Sequence, residues 1–321
     1  MTTGSAADDA TTTARLLYRW VMWLAIVLFF SAFQASCDYG LYDWKRTSNA
    51  CITLTTVPDT CSLPRAGHCL VPELVRWLTP RLVSTVFVSA GPLWMWIPLV
   101  VMAQHLRQHN SGVRFAASAL VPMLICGFAY LAFIMVARYW KDMKVLNPSG
   151  FDPSGHVLMY GWQLVPLWVL SSTLTQHRPP PVESFTILFQ SWPSNSWVGR
   201  AAQIMAGIVQ IALWYFTATT AAFYHTMSAT LTALGVVTVT YLLAILVAQR
   251  AQVDPAYLFK NLKVAAGVVA AWWAFTTWLV VAYTNKVSST FYAAIGFDLF
   301  LALFLVYVGV LARRMLLTQS V

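Results

Sequence analysis

Two histidines stand at the ends of short, unusual runs. His156 closes Gly150-Phe151-Asp152-Pro153-Ser154-Gly155-His156, and His225 closes Thr219-Thr220-Ala221-Ala222-Phe223-Tyr224-His225. A pair of imidazoles can divide a phosphoryl transfer. One attacks phosphorus and forms a phosphohistidine, and the other protonates the leaving oxygen. Histidine suits both tasks because its ordinary pKa lies near working pH. The phosphoryl oxygens also need hydrogen-bond donors. Ser154 and the amide of Gly155 can supply them if Gly155 opens a helix, since the first N–H groups of a helix have no intrahelical acceptor. Glycine also admits a phosphate closely. Arg138, Lys141 and Lys144 lie just upstream and are candidate ligands for an anionic substrate. The plainer use of these three cations is to anchor lipid headgroups. Asp152 either orients His156 or caps the following helix. His68, His105, His109 and His177 receive no role.

These residues must be positioned by membrane helices. The chain has 321 residues, 59% hydrophobic and 10% charged. Soluble domains carry about 25% charged residues, so this chain lacks the charge to cover a water-exposed surface. That excludes a soluble enzyme, a coiled coil and a disordered scaffold. The net charge of +9 reads as basic helix ends facing anionic lipid, with no patch that would track nucleic acid. A span needs about 20 apolar residues. Stretches near 20–36, 83–103, 115–137, 157–175, 201–223, 229–248, 264–284 and 291–312 qualify. The expected fold is therefore all-α, a polytopic membrane protein of about eight transmembrane helices. No internal repeat suggests a transporter built from inverted halves.

Orientation follows from the basic residues of the short loops. Placing Arg15, Arg19, Arg107, Arg114, Arg178, Arg200, Arg250, Lys260, Lys263, Arg313 and Arg314 in the cytosol leaves only Arg138, Lys141, Lys144 and Lys286 in short lumenal loops. Both termini are then cytosolic. Residues 1–19 form a tail, disordered over 1–14, and the first span is an uncleaved signal anchor. Residues 20–312 form the transmembrane domain, with a lumenal loop at 37–82, and 313–321 form a second tail. The stretch 176–200, with Pro179, Pro180 and Pro181, is a cytosolic connector with a short interfacial segment. The fourth span leaves the lumenal boundary and the fifth returns to it, so this map puts both histidines at one level. Four of the five cysteines, Cys37, Cys51, Cys61 and Cys69, fall in the loop 37–82 and suggest two disulfides in an oxidising lumen. A metal site using His68 is the alternative, but the spacings match no zinc pattern. Trp272 and Trp273 read as packing. Asp298, inside the last span, is either functional or a hydrogen-bonded structural carboxyl.

The run from Gly150 to His156 resembles the Gly-Phe-Asp-x-Ser-Gly-His motif of the fat storage-inducing transmembrane (FIT) proteins, relatives of the lipid phosphate phosphatases. The run from Thr219 to His225 resembles that family's second histidine motif, and the order and separation of the two also fit. The likeness covers roughly residues 83–248. It implies a family-like core of six spans plus a C-terminal pair near 264–312. It further implies an endoplasmic reticulum membrane protein that supports lipid droplet formation by lumenal cleavage of the diphosphate of fatty acyl-CoA. The products are acyl 4′-phosphopantetheine and adenosine 3′,5′-bisphosphate. By the same likeness, His156 and His225 are the catalytic pair, with His225 as nucleophile and His156 as acid. Ordinary lipid phosphatases carry an Arg six residues before the second histidine and an Asp four after it. Here those positions hold Thr219 and Ala229.

The leading expectation is thus a lumenal hydrolase of phosphoester or phosphoanhydride lipids, without metal or organic cofactor. Its partners are membrane lipids and fatty acyl-CoA, with diacylglycerol or triacylglycerol as further ligands and no nucleic acid. One alternative is a lipid phosphotransferase or phosphatase of the sphingolipid-synthase kind. The other is a non-catalytic membrane protein that binds neutral lipid.

Overall fold

The computed structural model describes residues 4–35, 41–42, 51–52, 120–174, 197–253, 255–284 and 287–317. Within them lie seven α-helices: α1 (Gly4–Ala35), α2 (Val121–Tyr139), α3 (Gly155–Leu174), α4 (Trp197–Phe223), α5 (Met227–Val253), α6 (Pro255–Tyr283) and α7 (Ser289–Leu317). Six of them, all but α3, are long and apolar enough to cross a membrane. A two-residue antiparallel ladder, β1 (Leu41–Tyr42) with β2 (Cys51–Ile52), pairs Leu41 with Ile52 and Tyr42 with Cys51. The expected span at 83–103, the connector at 176–196 and Cys37, Cys61 and Cys69 lie outside the described residues.

Seven of the eight expected spans coincide with helices, but all of these helices except α2 run longer than the expected spans. The α4 and α5 helices have 27 residues each, and α6 and α7 have 29 each. At 1.5 Å per residue such helices exceed the roughly 30 Å apolar layer. Hydropathy detects only the apolar centre, whereas the backbone ladder continues until something stops it. One expectation is corrected for this reason: the leader taken as disordered over 1–14 is helical from Gly4. The α7 helix continues through Leu317 into the expected tail.

The helices share one layer at their ends. The backbone N–H of Met227, opening α5, donates to Oε1 of Gln34 near the end of α1 at 3.2 Å. Phe33 of α1 meets Phe223 at the end of α4 edge-on at 5.9 Å. Tyr139, closing α2, meets Phe291 near the start of α7 at 5.7 Å. Thus α1, α2 and α4 run into this layer, and α3, α5 and α7 run out of it.

The α3 helix is the axis of the bundle, in contact with α1, α2, α4 and α5. Every residue from Val157 to Trp168 is buried. Trp20 of α1 stacks on Tyr241 of α5 at 4.6 Å and meets Trp168 of α3 edge-on at 6.2 Å. Trp162 Nε1 donates to Oγ1 of Thr240 at 3.2 Å, tying α3 to α5. Close approach needs a missing side chain at Gly161, where a Cβ would sit 2.5 Å from Cγ1 of Val237 and 3.2 Å from Trp23. Small residues that let backbones approach are the usual way membrane helices gain packing contact.

A candidate active site where two helix starts meet

The His156 segment is built from the end of α2 onward. A single 3₁₀ turn, Trp140–Asp142, follows α2 and leads into a loop that ends at Ser154. Asn147, buried in that loop, holds it together with its own amide. Its Oδ1 accepts from the backbone N–H of Phe151 at 3.1 Å and from the Ser149 hydroxyl at 3.0 Å. Its Nδ2 donates to the carbonyls of Phe151, at 2.6 Å, and Trp140, at 3.3 Å. Gly150 sits between these bonds with φ at +66°, a left-handed conformation that a Cβ would strain.

Ser154 begins α3. Its carbonyl accepts from Leu158 N–H at 3.1 Å and its Oγ from Val157 N–H at 3.3 Å, so Ser154 is the N-cap. This corrects one expectation: Asp152 does not cap the helix, and the completely buried Ser154 oxygen accepts the capping bond. Gly155 does open α3, as the sequence suggested. The amides of Gly155 and His156 are then the donors for which helix geometry supplies no acceptor.

His225 stands in the short turn between α4 and α5. Thr226 caps α5: its Oγ1 accepts from Ala229 N–H at 3.3 Å and its carbonyl from Thr230 N–H at 3.0 Å. The two segments are bonded directly, since Ser154 N–H donates to the carbonyl of Ala229 at 3.2 Å. The starts of α3 and α5 therefore lie side by side, and the positive ends of both helix dipoles come together. The imidazoles of His156 and His225 sit there with ring centroids 6.0 Å apart. Tyr160, one turn further along α3, lies 6.1 Å from His156 and stacks on Phe216 of α4 at 5.8 Å.

Burial pushes both histidines down to about 4. For His156 the neighbouring His225 and the Lys141 ammonium add to this, and Asp152 opposes it. For His225 the further cause is again Lys141. Both rings are therefore neutral at neutral pH. Lys141 forms an ion pair with Asp152 at 3.5 Å, half-exposed on the lysine side. Burial pushes the Asp152 carboxyl upward, and Lys141 opposes that shift.

The other expected ligands separate. Lys144 is exposed on the loop. Arg138 is engaged elsewhere, donating from Nη2 to the Tyr130 hydroxyl at 2.9 Å and pairing through Nη1 with Asp298 at 3.9 Å. Thr219, at the position of the phosphatase arginine, turns its hydroxyl back to the carbonyls of Tyr215 and Phe216. Ala229, at the position of the phosphatase aspartate, contributes the carbonyl that ties the two segments together. Among the described residues, no group of three or more His, Cys, Asp or Glu side chains is placed to hold a metal ion.

Sequence reasoning missed Asn147, Gln34 and the carbonyl of Ala229. Asn147-Pro148-Ser149-Gly150 does carry the composition of a turn, so a loop was legible there. Its fourfold use of one side chain was not. No family model, no curated protein and no solved structure matches this chain.

Proposed function

We propose that this protein is a membrane-embedded hydrolase that cleaves a lipid phosphoester or phosphoanhydride at the histidine pair, with fatty acyl-CoA as substrate. The observation that carries this reading is the meeting of two imidazoles, 6.0 Å apart, at the adjoining starts of α3 and α5. Helix starts favour anions, the Gly155 and His156 amides are donors, and Lys141 adds a cation beside them. A neutral imidazole has the lone pair that attack on phosphorus requires. The arriving phosphate is negative, and its charge favours a proton on the second imidazole, which then protonates the leaving oxygen. Water releases the phosphoryl group from the histidine. An acyl chain fits among the apolar helices while its charged head occupies the histidine layer.

In this reading the site faces the lumen of the endoplasmic reticulum, both termini are cytosolic, and the activity supports lipid droplet formation and lipid homeostasis. An eight-span count goes with it. The α1 helix ends in the histidine layer, whereas α2 ends there and so begins at the opposite face. A return crossing at the expected 83–103 satisfies that change of side.

The test is product analysis by mass spectrometry. Purified protein is incubated with oleoyl-CoA beside a variant carrying His156→Ala and His225→Ala. Acyl 4′-phosphopantetheine from the wild type alone is the expected result. No product from either protein, with both folded, would overturn the reading. Headgroup transfer to ceramide would point to a phosphotransferase, and copurified triacylglycerol with dispensable histidines to a lipid-binding protein.

A further inference from the structure

Away from the histidines, one carboxylate is completely buried inside a span. Asp298 of α7 has no exposed surface. Arg138 of α2 is its ion-pair partner, and the Tyr130 hydroxyl and Trp273 indole lie beside the carboxylate. An ion pair in apolar surroundings gains little net stability, yet removing one partner alone is costly. The place of this pair is informative. Arg138 stands on the last turn of α2. The next residue, Tyr139, packs on Phe291 of α7, whose side chain is also buried. So α7 grips the end of α2 at two successive residues. Immediately beyond that end lies Lys141, the cation paired with Asp152 and felt by both histidines. The α6 helix holds α2 further along, through the Trp272 indole N–H donating to the carbonyl of Ala132.

We propose that the C-terminal helix pair positions Lys141 in the histidine layer, with Asp298 acting through Arg138 to fix the end of α2. Asp298 is then a positioning residue, and α6 and α7 serve the site without entering it. This inference rests on reading the histidine layer as an anion site.

The experiment pairs Arg138→Gln with Asp298→Asn. Net charge is unchanged and no buried charge is left alone, so a shift at the histidines reports position and not a new field. Histidine ring signals are followed by NMR across pH in the full-length protein, with and without inorganic phosphate. The titration midpoints of His156 and His225 are expected to rise, because Lys141 is no longer held beside them. Phosphate affinity is expected to fall roughly two- to tenfold. Lys141→Gln alone should move both readouts the same way, and adding it to the paired variant should change little more. A folded paired variant with wild-type midpoints and wild-type phosphate affinity would overturn the proposal, provided Lys141→Gln shifts both. If Lys141→Gln shifts neither, the anion-site reading falls and takes the proposal with it. Phe291→Leu loosens the second grip without touching a charge. If the paired variant does not fold, Phe291→Leu must show the same shifts at smaller size, and wild-type behaviour there overturns the proposal.

Discussion

The inner bundle of α1 to α5 and the C-terminal pair of α6 and α7 are held by different means. In the inner bundle α3 is enclosed and 61% of the α4 span is buried, whereas the α6 span is 11% buried. The inner helices interlock through rings and small residues, as at Trp20, Trp168, Tyr241 and Gly161. The outer pair packs chiefly along α2 and is joined to it by a few polar contacts, with Asp298 turned inward. Shape complementarity defines the inner bundle and carries the histidines. The outer pair turns most of its apolar surface outward, where lipid is a suitable solvent, and is placed by a handful of bonds.

That contrast can be broken or sharpened by substitution. The largest effect is expected at the histidines, where alanine at His156 or His225 should lower turnover by about 10²–10⁴-fold with the fold intact. Initial rates with oleoyl-CoA, beside circular dichroism, would check it. Next come two glycines with equal overlap on paper. A Cβ at Gly161 would lie 2.5 Å from Val237 Cγ1, and one at Gly127 would lie 2.5 Å from Leu305 Cδ2. Val237 is branched at Cβ and wedged in the inner bundle, so Gly161→Ala should cost about 1–3 kcal/mol. The end of Leu305 can swing aside at the outer pair, so Gly127→Ala should cost less than about 1 kcal/mol. Thermal unfolding in detergent would separate them, and equal losses would erase the distinction between the regions.

A loss between those two is expected from Ser154→Ala, about 1 kcal/mol for a missing N-cap. A further effect is a slope of stability with pH. The folded histidines titrate near 4 against an ordinary 6.5, so between those values the unfolded chain binds more protons. Their contribution is whole above about 6.5 and is lost as pH falls toward 4. Replacing both by Gln should flatten the unfolding midpoint across that window, and an unchanged slope would show that other groups produce it.

How much was legible beforehand depended on the range of the interaction. Apolar runs located seven of the described helices because each run reports its own need for a nonaqueous setting. They misjudged helix ends, since the ladder of backbone bonds in Gly4–Ala35 and Ser289–Leu317 continues past the apolar stretch. The loop at Asn147-Pro148-Ser149-Gly150 was legible as a turn because those residues bond or bend locally. Arg138 could be read only as a cation near a boundary, because its partner Asp298 lies far along the chain.

The sequence by itself determined that this chain forms long apolar helices able to cross a membrane, with two histidines in small-residue runs near their ends. Those properties follow from composition and local spacing, which act within one helix. Only the tertiary structure decided that the two imidazoles lie 6.0 Å apart, that Ser154 caps α3 while bonding to Ala229, and that Arg138 serves Asp298. Each of these joins residues on different helices. Packing among helices, which no local pattern records, sets which of them come within reach.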